Sequence, residues 1–132
     1  MMAGMAIALI AAAMLAQAPP AENSLTAGQM YDGCVSILAQ GPPAPPGKEA
    51  VAEAFCDALA TVELAAADAV RQLHDGRPSG RYCLPDTIVK AADPAPLQRA
   101  FIAFLDGHPS FRSEDATAAW QWALEEQWPC PL

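Results

Sequence analysis

The chain is poor in basic residues. Its 132 residues include seven Lys and Arg against fifteen Asp and Glu, which gives a formal net charge of −8 at pH 7. A surface this acidic repels phosphate backbones and anionic lipid headgroups, so we expect neither nucleic acid nor a membrane surface as a partner. A basic protein partner would complement the negative charge of this surface.

The sequence also lacks the motifs on which much catalysis depends. It contains no glycine-rich phosphate loop, no nucleophile elbow and no helical metal-binding motif. No two cysteines lie about two to four residues apart, the spacing typical of zinc sites. Cys56 and His74 lie about five turns apart on one predicted helix and cannot act as a nucleophile and its base. We therefore expect a protein that binds rather than catalyses, with no catalytic residue, metal or cofactor. His108 is expected to contact terminal carbonyls of its helix.

The amino-terminal segment is apolar and uncharged and ends in a small-residue Ala-Gln-Ala motif before two prolines. This pattern predicts a signal peptide over residues 1–18 and a mature domain over residues 19–132. Cleavage after Ala16 or Ala21 is an alternative, because Pro19 would otherwise follow the cut. An uncleaved anchor is another, on the length rule for membrane-spanning helices. The segment also lacks the Lys or Arg usual at the start of a signal peptide. The mature protein is expected to be periplasmic or secreted, without membrane contact.

Hydrophobic periodicity predicts an all-α fold with four main helices in one small domain. Thr26 and Gln29 form a capping-box pattern for a first helix that ends at Gly41. A stiff proline-rich connector follows, and then an amphipathic second helix of about seven turns that reaches Leu73.

Asp93 is expected to cap the third helix and Ser113 the fourth. The buried stripe predicted for the fourth helix consists of Ala116, Trp120, Ala123, Leu124 and Gln127.

Four cysteines in a small exported chain predict two structural disulfides. An antiparallel hairpin of the first two helices brings Cys34 level with Cys56. A second hairpin brings Cys83, before the third helix, next to Cys130, just past the fourth. The predicted architecture is therefore two disulfide-clamped hairpins, with each bridge stabilising the fold by roughly 3 to 4 kcal/mol.

Two features indicate a binding surface. The loop from Asp75 to Arg81 is rich in Gly and Pro, and we expect it to protrude. Arg77 and Arg81 would pair with carboxylates of a partner, and Ser79 would offer a hydroxyl to a catalytic dyad. Trp122 lies on the opposite side of the fourth helix from the buried stripe, and exposed tryptophan is enriched at binding hot spots. Each feature has an alternative interpretation. Trp122 would pack in the core, and the arginines would serve only solubility or the loop itself.

Several short motifs occur in a recognisable order behind the predicted signal peptide. They are Phe55-Cys56, Tyr82-Cys83-Leu84-Pro85, Phe104-Leu105 with His108-Pro109, and Ala123-Leu124 before Pro129-Cys130-Pro131. This pattern resembles the Rap/Tai immunity family over nearly all of the mature chain. Members of that family are small helical periplasmic proteins that neutralise peptidoglycan amidase effectors of type VI secretion systems. The chain departs from the family at Leu59 and Val62, where an aromatic residue and a glycine are usual, and in its proline-rich connector.

The resemblance implies an immunity protein that occludes the substrate groove of an amidase and shields its catalytic Cys-His pair. The expected partner is such an amidase effector, and a second copy of the chain is a further candidate. A periplasmic chaperone or a carrier of small apolar ligands is the alternative function, because it would share the size, the bridges and the helices.

Overall fold

The structure is a computed structural model that describes residues 24–42, 44–73 and 81–131, with the side chains of residues 71–73 excluded. The predicted signal segment lies outside this part of the chain. Within it the protein is all-α, as predicted, with five α-helices, one 3-10 helix and no strand. The helices are α1 Ala27–Leu38, α2 Lys48–Leu73, α3 Asp86–Ala91, α4 Ala95–Gly107 and α5 Ala116–Gln127, with the 3-10 helix Pro109–Ser113 before α5. None of the described helices is long and apolar enough to span a membrane.

α1 begins at the predicted capping box. The Thr26 hydroxyl accepts a hydrogen bond from the Gln29 backbone N–H at 3.2 Å, and the Gln29 side chain accepts one from the Thr26 N–H at 3.0 Å. The predicted end at Gly41 is wrong. The helix ends at Leu38, and Gln40 takes the left-handed conformation, with φ 52°.

The N-cap residues of α4 and α5 both differ from the predicted ones. α4 begins at Ala95 with Pro94 as its N-cap residue, one position after the predicted cap, and Asp93 Oδ1 accepts a hydrogen bond from the Ala95 N–H at 3.0 Å. The cap of α5 is Asp115 instead of Ser113, and its side chain accepts from the Ala118 N–H at 3.1 Å. The prediction failed because Ser113 is taken up as the last residue of the 3-10 helix.

The described helices share one hydrophobic core, with α1 at its centre. α1 packs against α2, α4, α5 and the 3-10 helix. The largest fully buried apolar side chains are Met30, Leu97, Phe101, Leu105, Trp120 and Leu124. The stripe predicted for α5 is buried except at Gln127, which is exposed near the end of the helix. The two predicted hairpins are therefore joined through α1 into one packed unit.

Both predicted disulfides are present. Cys34–Cys56 joins α1 to α2 with 5.5 Å between the Cα atoms, and both residues are fully buried. Cys83–Cys130 joins the segment before α3 to the chain after α5, with 4.9 Å between the Cα atoms. The Cys83 N–H also donates to the Trp128 carbonyl at 2.8 Å. Each bridge clamps one helical half, as the sequence predicted.

α1 and α2 approach closely beside the first bridge. A Cβ added to Gly33 would lie 2.5 Å from the carbonyl carbon of Ala52, a distance that real side chains do not tolerate. Only glycine allows the two backbones to approach this closely.

Candidate protein-binding surface

The structure describes two of the four residues predicted to bind a partner. Arg81 and Trp122 lie in the described part of the chain. Arg77 and Ser79 lie outside the described residues, as does the predicted loop up to residue 80. A binding surface must therefore be built from Arg81, Trp122 and their neighbours.

Trp122 is partly exposed and held from one side by aromatic packing. Its residue exposure is 37%. Its ring meets that of Phe111 edge to face, with 5.1 Å between centroids. Phe111, in the 3-10 helix, packs in turn on Phe104 at 5.5 Å. Since such aromatic pairs contribute about 0.5–1.5 kcal/mol beyond buried area, Trp122 is fixed in position while part of its indole faces solvent.

Two polar contacts flank Trp122 on α5. Glu125 and Glu126 follow Trp122 by three and four residues, so they share its face of the helix. An Arg81 guanidinium nitrogen lies 3.7 Å from Glu125 Oε1. His108 Nε2 forms a hydrogen bond with Glu126 Oε1 at 3.0 Å. The His108 ring thus contacts a carboxylate, while its backbone N–H donates to the Phe104 carbonyl in the last turn of α4 at 2.9 Å. Arg81 reaches the same helix face as Trp122.

A polar cluster lies where α1 meets the end of α4. The Tyr31 hydroxyl donates to Asp106 Oδ1 at 2.6 Å, and the Arg112 guanidinium lies 4.3 Å from the centroid of the Tyr31 ring. The hydrogen bond to Asp106 is the main cause that raises the pKa of Tyr31, with desolvation and the Asp106 charge adding to it. The 3-10 helix connects this cluster to Trp122, because Arg112 directly follows Phe111. We call Tyr31, His108, Phe111, Arg112 and Trp122 together the aromatic patch.

Sequence reasoning found only Trp122 among the residues of the aromatic patch. Tyr31 and Asp106 are 75 residues apart in sequence, and no local pattern links them. The one local signal for a binding surface is the pair Phe111-Arg112. It lies in the short segment between two helices, where a large side chain belongs to no predicted buried stripe. Aromatic residues and arginine at a segment of this kind are typical of interaction surfaces.

Thiol and metal chemistry can be checked directly in the described part of the chain. All four cysteines are bridged, so no thiol is free. No group of three or more His, Cys, Asp and Glu side chains in the described ranges could hold a metal ion. What the aromatic patch supplies is contact area, a guanidinium and an imidazole.

Comparison of the chain with known protein families, curated proteins and solved structures gives no match. The Rap/Tai resemblance therefore stays a prediction that rests on the short motifs. Two of those motifs lie side by side in the fold, since Tyr82 forms an isolated bridge with Pro129. The second disulfide then links Cys83 to Cys130 directly beside that bridge.

Proposed function

We propose that the chain is an exported helical protein that acts by binding another protein across the aromatic patch, and that this partner is a peptidoglycan amidase effector. The observation that carries the proposal is Trp122, exposed and yet fixed against Phe111. The choice of an amidase comes from the Rap/Tai resemblance. The two disulfides fit an oxidising compartment such as the periplasm, where such effectors act.

The composition of the patch supports binding. Tryptophan, tyrosine and arginine are the residue types most enriched at hot spots of protein interfaces. The aromatic patch contains one of each, all anchored by neighbours. Because these side chains are already held in place, little conformational entropy is lost when a partner binds.

The mechanism in this proposal is steric. The disulfide-clamped domain covers the amidase groove and keeps substrate away from the catalytic Cys-His pair, so inhibition requires no chemistry from the immunity protein. Arg81 can take part, because its side chain is 79% exposed and its contact with Glu125 is long at 3.7 Å. This distance is longer than a hydrogen bond, so Arg81 can turn toward a carboxylate of the partner without breaking one.

Trp122→Ala tests the proposal. With a peptidoglycan amidase encoded beside this gene as partner, we expect the variant to weaken binding by more than about 2 kcal/mol, or roughly thirtyfold in Kd. Calorimetry would measure the affinity, and circular dichroism would show unchanged helical content. Val62→Ala is the matched control, since Val62 is 63% exposed on α2, outside the patch.

Equal affinity of Trp122→Ala and wild type would rule out the patch as the interface. Failure of the wild-type protein to bind or inhibit the amidase would rule out the partner. A hydrophobic dye that binds increasingly at acid pH, with no amidase binding, would favour the chaperone alternative.

A further inference from the structure

A groove lies between α1, the start of α2 and the connector that joins them. Its volume is about 350 Å³. This is close to the lower limit for ligand pockets, about 300 Å³, and suits one long side chain better than a large organic molecule. The groove is separate from the aromatic patch, which contains none of its lining residues.

The floor of the groove is apolar because small residues meet there. Gly33 has no side chain, and Ala52 across from it presents only a methyl group and is 4% exposed. The close approach of the two backbones at this point leaves no bulky side chain to fill the adjacent space. The same feature that allows α1 and α2 to pack closely thus leaves a channel beside them.

The third wall of the groove is tied to α2 by one hydrogen bond. Ala44 and Pro45 of the connector form this wall. Glu53 fixes it, because one carboxylate oxygen accepts from the Ala44 N–H at 3.4 Å and the other accepts from the Ser36 hydroxyl. The buried Cys34–Cys56 bridge fixes the two helices relative to each other. The groove is therefore preformed, which lowers the entropic cost of filling it.

The rim of the groove is acidic. Asp32 on α1 and Glu49 on α2 are exposed and line it from opposite sides. Within the described part of the chain, neither carboxylate has a hydrogen bond or an ion pair. Lys48 is the cation at the rim, while Glu53 adds a further carboxylate, so negative charge exceeds positive charge around the opening.

We propose that this groove binds an arginine side chain from a basic segment of a protein partner. The aliphatic part of the arginine lies along the floor at Gly33 and Ala52, as long cationic side chains do on apolar surface. The planar guanidinium has five donors, enough to contact Asp32 and Glu49 together. The charge of the rim and of the whole chain selects a basic occupant. This site does not depend on the amidase proposal.

The test uses the disulfide-bonded mature protein, labelled with nitrogen-15, and the blocked peptide acetyl-Ala-Leu-Arg-Leu-Ala-amide as probe. We expect saturable shifts of backbone amides at the groove, including those of Gly33 and Ala44. The same peptide with citrulline in place of arginine is the ligand control, because citrulline keeps the shape and removes the charge. It should bind at least tenfold more weakly.

Three protein variants complete the experiment. Asp32→Asn with Glu49→Gln should weaken binding of the arginine peptide at least tenfold. Lys48→Gln should strengthen it about two- to fivefold, the range of one exposed charge interaction, which damage to the fold would not do. Asp57→Asn with Glu114→Gln removes the same charge from exposed positions outside the groove and should leave affinity within twofold of wild type. Equal weakening by the control pair, shifts spread over the acidic surface, or the absence of saturable shifts at Gly33 and Ala44 would overturn the proposal.

Discussion

Glu63 carries an electrostatic cost within α2. Its side chain is half-buried, and this burial raises the pKa of its carboxyl above the ordinary value of 4.5. A raised pKa in the folded state means that the fold favours the protonated acid. The stability gained from this preference is fully present below the ordinary pKa, and it is lost as the pH rises through the folded-state pKa. At neutral pH the fold therefore contains an unfavourable half-buried charge.

Glu63→Gln is expected to stabilise the protein at pH 7, because glutamine has a similar shape and no charge to desolvate. The variant should melt above the wild type at pH 7, and the difference should disappear below pH 4.5, where the wild-type side chain is protonated in both states. Thermal melts followed by circular dichroism across this range would measure the effect. Asp57→Asn on the exposed face of α2 is the matched control. A Glu63→Gln melting temperature equal to that of the wild type at pH 7 would contradict the expectation.

The two disulfides differ in their access to solvent. Cys34 and Cys56 are fully buried between α1 and α2, whereas Cys83 and Cys130 are half-buried beside the end of the described chain. Thiolate exchange requires an approach to the sulfur atoms, so a reductant reaches the second bridge without opening the core. The second bridge also closes the longer segment, 47 residues against 22. In the chain-entropy model the two contribute about 4 and 3 kcal/mol.

Limited reduction of the native protein should therefore open Cys83–Cys130 first. We expect mild dithiothreitol followed by alkylation to label Cys83 and Cys130 while Cys34–Cys56 remains intact. Peptide mapping by mass spectrometry would identify the labelled cysteines. A Cys83→Ser, Cys130→Ser variant should be less stable by ~2–5 kcal/mol. Equal labelling of all four cysteines from the start would show that burial does not control the order.

Local signals in the sequence predicted some features of the helices and missed others. The capping box at Thr26 and the cysteine pairing were predictable, because the first depends on neighbouring residues and the second on the antiparallel course of two helices. The six-residue helix α3 was missed, since a helix this short gives little periodicity. The end of α1 at Leu38 and the Asp115 cap of α5 were missed, because several residues near each of these positions could act as the cap.

Within the aromatic patch, only the role of Trp122 was predictable. Its position opposite the buried stripe of α5 indicated exposure, and the structure shows that exposure. Its packing on Phe111 and the Tyr31 contacts with Asp106 and Arg112 join segments that are far apart in sequence. Such contacts depend on how α1, α4 and the 3-10 helix pack together, and periodicity within one helix carries no information about that.

The fold depends on α1 as the link between its two disulfide-clamped halves. α1 packs on α2 on one side and on α4, α5 and the 3-10 helix on the others. Its spacing from α2 is set at Gly33, and Cys34, the next residue, is covalently tied to Cys56. Because the bridge prevents the helices from separating at this point, a larger side chain at Gly33 has little room to relax. A shift of α1 caused by strain at Gly33 should therefore also disturb the core that α1 forms with α4, α5 and the 3-10 helix.

Gly33→Ala is therefore expected to destabilise the entire domain by about 1–3 kcal/mol or more, the usual cost of overpacking. The added Cβ would lie 2.5 Å from the Ala52 carbonyl carbon, so backbone atoms must move. Urea unfolding should give one lower midpoint for both circular dichroism and tryptophan fluorescence, because buried Trp120 reports on the half that does not contain the mutation. Gly107→Ala is the matched control, since a Cβ there meets no atom within 4 Å, and its midpoint should stay at or above that of the wild type. A fluorescence midpoint unchanged by Gly33→Ala, with only helical signal lost earlier, would show that α1 does not couple the two halves.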